Sequence, residues 1–152
     1  MGTTTFSGPV RAGTKKQGET NGPNLGVVTL MQETAITQNG TNAVSSTLYI
    51  PAGSKIVDII VDVLTAFDSA TSAVLSVGTA AAGTQYAGSV DVKTATGRII
   101  PTFTAAQLAA MSNVSVLGVA DPTPAPVVVT VTPTGATTAG YVRVTVIYAQ
   151  LA

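Results

Sequence analysis

Apolar residues along this chain recur mostly at every second position. In residues 142–148, Val142, Val144, Val146 and Tyr148 alternate with Arg143, Thr145 and Ile147. A period of two is the mark of a strand, whose successive side chains point to opposite faces. Arg143 must reach water, so the Val142 set predicts the core face. In residues 56–64, Val57, Ile59, Val61 and Val63 alternate with Ile56, Asp58, Ile60, Asp62 and Leu64. The first set again predicts the core face. The second set mixes two carboxylates with three aliphatic residues. Ile56, Ile60 and Leu64 are therefore candidates for an outward surface that something covers, either another subunit or a loop of the same chain.

Short β-branched runs of this kind fill the chain from Leu25 onward. The pattern predicts strands over 26–33, 46–50, 55–64, 73–77, 90–92, 98–101, 114–119, 127–132 and 142–150. Turn residues fall between them at Asn39-Gly40, Pro51-Ala52-Gly53, Asp68-Ser69, Gly83, Gly97, Pro122 to Pro126 and Pro133-Thr134-Gly135. This spacing predicts an all-β sandwich or barrel over residues 25–152. One segment breaks the pattern. Thr104 is an N-cap candidate ahead of residues 105–111, all good helix formers, with Asn113 available to end the turn. A helix this short needs packing to persist, and Leu108 and Met111 are the pair expected to dock on the sheet.

Residues 1–24 show neither periodicity. They hold five glycines, Pro9 and Pro23, and Arg11, Lys15 and Lys16 against Glu19 alone. Such a segment cannot bury enough surface to offset its ordering entropy, which predicts an extended N-terminal arm. Phe6 and Val10, flanking Gly8-Pro9, suggest an arm that orders against a partner; a disordered tail is the other reading.

Composition sharpens this picture. Of 152 residues, only 9% are charged, so the surface must be built from Thr, Ser, Gly, Ala, Asn and Gln. A surface so poor in charge is weakly protected against association, as expected where neighbours are meant to cover it. Net charge is zero, with no strongly basic region, which argues against a nucleic-acid partner. No apolar run reaches the length of a membrane span, so no membrane partner is expected.

The chemistry available is thin. There is no His and no Cys, which removes the commonest general base, the commonest nucleophile pairs and the commonest zinc ligands. Asp58 and Asp62, four apart on one strand, lie about 13 Å apart at roughly 3.3 Å per residue. That exceeds the separation of either glycosidase geometry. No Asp-x-Asp-x-Asp-Gly calcium loop exists, although Asp91 could meet Asp58 and Asp62 in space. Asp68 and Asp121 sit beside turn residues, where Asp is favoured for local hydrogen bonds. The expectation is a non-enzymatic protein with no catalytic residue, no metal and no cofactor.

Five segments carry a resemblance: Phe6 to Thr14 in the arm, Tyr49 to Asp58, Leu75 to Ala80, Pro101 to Leu108, and Thr137 to Tyr148. Together they resemble the head decoration, or cement, proteins of tailed phages. That resemblance implies a β-sandwich or jelly-roll domain, a homotrimer, and a place on the outer surface of a capsid. It implies binding to the major capsid protein, with an N-terminal arm reaching along the shell. On that reading Phe6, Pro9 and Val10 are apolar anchors in the arm, and Arg11, Lys15 and Lys16 meet carboxylates of the shell. Two alternatives stay open. One is a receptor- or glycan-binding module of a phage fibre, using exposed Tyr49, Tyr86 or Tyr141. The other is a tail or neck component.

Overall fold

The computed structural model describes residues 27–112 and 124–151. The arm with Phe6, Pro9, Val10, Arg11, Lys15 and Lys16, the strand expected at 114–119 and Asn113 lie outside the described residues. Within them the chain forms β1 (Val27–Thr37), β2 (Val44–Ile50), β3 (Ser54–Thr65), β4 (Ser72–Gly78), β5 (Ala87–Asp91), β6 (Gly97–Ile99), α1 (Ala105–Ser112), β7 (Ala125–Thr134) and β8 (Tyr141–Leu151). Each strand expected in these stretches is present, and most are longer by two to four residues. β1 runs four residues past its expected end, because Thr34, Ala35 and Thr37 carry little apolar signal although Ile36 is core. Pro126 and Pro133 both lie inside β7. A proline offers no ladder donor, but each sits where only one neighbour pairs: Pro126 faces Tyr49 of β2, and Pro133 faces Ala73 of β4.

The strands make two antiparallel sheets. The first has the order β1-β8-β3-β6 and the second β2-β7-β4-β5. Four of the pairings, β1 with β8, β2 with β7, β3 with β6 and β4 with β5, describe one long hairpin ribbon turned back at β4–β5. Rolling that ribbon brings β8 against β3 and β7 against β4. The result is a jelly-roll sandwich, which divides eight strands between two packed layers.

The core lies between the layers. Val142, Val144, Val146 and Tyr148 of β8 are buried, as the alternation predicts, and face Leu75, Val77, Val127, Val129 and Val131 of the second sheet. β3 corrects the expectation for its first half. Ile56 pairs with Tyr148 and Asp58 with Ile147, leaving Val57 as an extra residue at a β-bulge. One extra residue inverts the phase of everything before it. Ile56 is therefore core, at 4% exposure, and Val57 points outward at 50%. Ile56 leaves the outward set; Ile59, Val61 and Val63 stay buried as expected. The Asp58 carboxylate accepts the Ile59 N–H beside the bulge, at 2.8 Å.

One end of the sandwich is closed by the loops around Phe67 and Gly140. The Phe67 ring is buried against Gly140, where a Cβ would stand 2.6 Å from its carbons. Only glycine allows that approach. Asp68 ties the same loops together: its carboxylate accepts the N–H groups of Thr138 and Ala139 and the Thr138 hydroxyl. The Ala139 N–H, followed by the Thr138 contacts, holds the carboxyl down at about 2, from an ordinary 3.8. Asp68 thus bonds across about 70 residues of chain, not locally.

The helix starts as expected. Thr104 Oγ1 accepts the Gln107 N–H, and Gln107 Oε1 accepts the Thr104 N–H, a reciprocal capping box. Its docking differs from expectation. Met111 is buried at 2%, but Leu108 is 50% exposed. Gln107, half-buried, donates to the Thr84 carbonyl at 3.1 Å.

Candidate functional site

The outward face of the first sheet combines apolar side chains with a closed set of charges. The ladder of strand partners places Asp62 of β3 between Arg143 of β8 and Arg98 of β6. Arg98 donates through both nitrogens to the Asp62 carboxylate, Nε at 2.8 Å and NH2 at 3.1 Å. Arg143 reaches Asp62 on one side at 3.4 Å and Glu33 of β1 on the other at 3.4 Å. The chain of charges Arg98–Asp62–Arg143–Glu33 crosses all four strands with alternating sign. The Arg98 hydrogen bonds, opposed by partial burial, hold the Asp62 carboxyl below the usual carboxylate range. Asp62 itself is buried, but Arg98 stays mostly in water, so the ladder fixes orientation more than it adds stability.

Around this ladder lie Met31 of β1 at 68% exposure, Val57 and Leu64 of β3, and Tyr141 at the start of β8. Ile60 and Ile147 fill the space between, half-buried. Of the three residues expected to form an outward surface, Ile60 and Leu64 are on it and Ile56 is not. Four charges on this face, Arg98, Asp62, Arg143 and Glu33, are paired with one another, while Lys55 and Asp58 of β3 make no ion pair among the described residues. A partner covering the face would meet apolar surface and, in those four, charges already neutralised, which lowers the desolvation cost of burial.

The outward face of the second sheet is built differently. Its strand residues are largely polar: Ser45 and Thr47 on β2, Thr130 and Thr132 on β7, Ser76 on β4. The loop from Thr79 to Gln85 folds back over it. Ala82 donates its N–H to Thr130 Oγ1 at 2.9 Å, and the Tyr86 N–H returns to the Val77 carbonyl at 3.0 Å. Thr130, Ser76 and Gly78 are buried beneath this loop. A Cβ on Gly78 would stand 2.6 Å from the Gly83 backbone, so the loop needs glycine there.

The remaining sequence candidates do not converge. Tyr86 is 4% exposed and its hydroxyl is pushed up by burial, which removes it from any exposed aromatic platform. Tyr49 and Tyr141 are exposed but belong to different sheets. Asp91 does not meet Asp58 and Asp62. It sits in the second sheet and accepts the Lys93 and Thr94 N–H groups and the Thr94 hydroxyl in a turn. Among the described residues no group of three potential metal ligands comes together. Sequence reasoning missed Met31 and Val57 as surface apolar residues, and it missed the pairing of Arg98 and Arg143 with Asp62. The register of β1, β3, β6 and β8 is needed to see them. The outward set Arg143, Thr145, Ile147 was the one readable signal.

No family model matches the chain, and no curated protein sequence matches it significantly. Among solved structures, the fold is similar to a chain of the cyanophage Pam1 capsid asymmetric unit, with a TM-score of 0.50 and 19% identity. The match covers 95% of this chain and 99% of that one. This is a likeness of fold.

Proposed function

We propose that this chain is a structural virion protein that decorates a phage capsid and stabilises it by binding the lattice of the major capsid protein. The observation that carries the reading is the first sheet's outward face: apolar, with its central charges paired, and covered by no loop among the described residues. The jelly-roll likeness to a chain of a phage capsid asymmetric unit supports it, as do the charge-poor surface and the resemblance to decoration proteins. On this reading the protein sits on the outer surface of the shell as a homotrimer. The arm over residues 1–24 reaches the major capsid protein, with Phe6, Pro9 and Val10 as apolar anchors. Arg11, Lys15 and Lys16 meet shell carboxylates. Several weak contacts per trimer then add by multivalency, so that modest interfaces give firm retention.

The test is co-sedimentation of the purified protein with empty capsids of its parent virus, read beside its mass by light scattering. A protein of trimeric mass, or a multiple of it, that pellets with shells supports the proposal. A protein that stays in the supernatant overturns it. Deleting residues 2–24 isolates the arm: unchanged retention would remove the arm from the mechanism while leaving the face.

A further inference from the structure

Among the described strands, three of the four sheet edges are blunted, and one is not. β6 is only three residues long. β5 has five, is paired through a register shift, and carries Ser89 at φ 58°. β2 has seven, and the Tyr49 carbonyl on it is taken by Gln32 Nε2 at 3.0 Å. Short, twisted or occupied edges are the usual protection against strand pairing between molecules. β1 is neither short nor twisted, and although its core-side Gln32 and Thr34 side chains bond to Tyr49 and Ser46 of β2, no hydrogen bond among the described residues takes its own edge backbone. It runs eleven residues, about 36 Å at roughly 3.3 Å per residue, in unbroken register with β8. It contains no proline, no lysine and no bulge, and Glu33 is its one charge. Among the described residues β1 pairs with β8 alone, so half of its backbone donors and acceptors face outward from the sheet.

The same strand exposes its middle. Met31 is 68% exposed on the outward face. Leu30 lies on the core-facing side, opposite buried Tyr148, and is still 40% exposed. The core row is unfinished where β1 ends the sheet. We infer that β1 pairs edge to edge with β1 of a second copy, antiparallel across a twofold axis, continuing the first sheet from one molecule into the next.

The sequence of β1 suits this occupant. Antiparallel partners share a face, so a symmetric pair must centre on a residue that meets itself. Centred on Leu30, Met31 or Gln32, Glu33 faces Val27, Thr29 or Met31 of the other copy and never the other Glu33. No like charges meet, and Leu30 and Met31 of both copies are brought together at the centre. The contact is a twofold one. It is separate from the threefold contact proposed above and would join one trimer to the next.

The chain has no cysteine, so a single introduced thiol reports one position. Full-length variants carrying one cysteine at Thr29, Leu30, Met31, Gln32 or Glu33 are oxidised and run on a non-reducing denaturing gel, with Thr47→Cys on β2 as control. The inference expects a two-chain band, at least roughly tenfold stronger than the control, peaking at one position and falling on either side, as disulfide geometry demands. A T29K/M31K variant should lose the higher assembly in light scattering while keeping any trimer mass. No two-chain band at any of the five positions, or equal pairing at Thr47, would overturn the inference. Loss of the band on deleting residues 2–24 would also overturn it, because the arm would then be the occupant. Should T29K/M31K fail to fold, the cysteine series decides alone. Loss of the trimer with the β1 pair intact would count against the homotrimer and not against this contact.

Discussion

The two outward faces of the sandwich are made by the same kind of strand and end in opposite states. On the second sheet, β4 and β7 present Ser76, Gly78 and Thr130, and the loop from Thr79 to Gln85 lies down on them. On the first sheet, β3 and β8 present Ile60, Ile147, Val57 and a ladder of paired charges, and no described loop covers them. The polar, small-residue face is therefore the buried one. The physical reason lies in backbone satisfaction. A loop folded onto a sheet brings its own N–H groups, and these need acceptors. Thr130 supplies one for Ala82, and glycine at 78 supplies the room. A face of isoleucines and valines offers a loop no acceptors, but it offers a partner protein apolar area. The comparison teaches that a single chain can mark a face for itself with hydroxyls and glycine, and a face for others with aliphatic residues and closed ion pairs.

The comparison can be broken most strongly at Gly78. Gly78→Val drives a side chain into the Gly83 backbone and should cost about 3 kcal/mol by overpacking, measured by urea unfolding. The folded fraction should keep its shell retention. If retention fell with stability unchanged, the roles of the two faces would be reversed. Next in size is Thr130→Val. It keeps the shape but leaves the Ala82 N–H without its acceptor, an expected loss of about 1–2 kcal/mol. Faster hydrogen exchange at Ala82 should accompany it; unchanged exchange would show that the loop does not depend on this bond.

Val57→Ser and Met31→Ser test the other face. Both residues are half or more exposed, so stability should move by less than about 0.5 kcal/mol. Co-sedimentation with shells should nonetheless fall. Normal retention in the double variant would argue that the arm alone carries binding. The smallest effect concerns acid. Asp68 has its carboxyl held at about 2, below its ordinary 3.8. Its contribution is complete above about pH 4 and is lost as pH falls toward 2. Thermal melts over that window should fall more steeply for the wild type than for Asp68→Asn. Parallel slopes would mean that the loop tie to Thr138 and Ala139 contributes nothing measurable.

Much of the sandwich is legible in the amino-acid sequence. Val142, Val144, Val146 and Tyr148 declare a core face by alternation, and Thr104 ahead of residues 105–111 declares a helix start. The face of residues 54–57 was not legible, because the bulge at Val57 is a property of how β3 matches β8. An unbroken alternation therefore assigned Ile56 and Val57 to the wrong sides. Leu108 misled for a related reason: the helix docks through Met111 into the core and against β3, a partner distant in sequence. Of the candidate site, Ile60 and Leu64 could be read from their place beside Asp58 and Asp62. Met31 could not, since β1 carries almost no alternation of its own.

The sequence by itself determined the strand-rich class, the turns, the poverty of charge and the absence of His and Cys. These follow from local periodicity and from counting. Only the tertiary structure decided that the strands roll into a jelly roll, that Asp62 is caught between Arg98 and Arg143, and that β1 is the one long edge without a second partner among the described strands. Each of those depends on which strand lies beside which. That is settled by contacts between residues far apart in the chain, where local pattern has no reach.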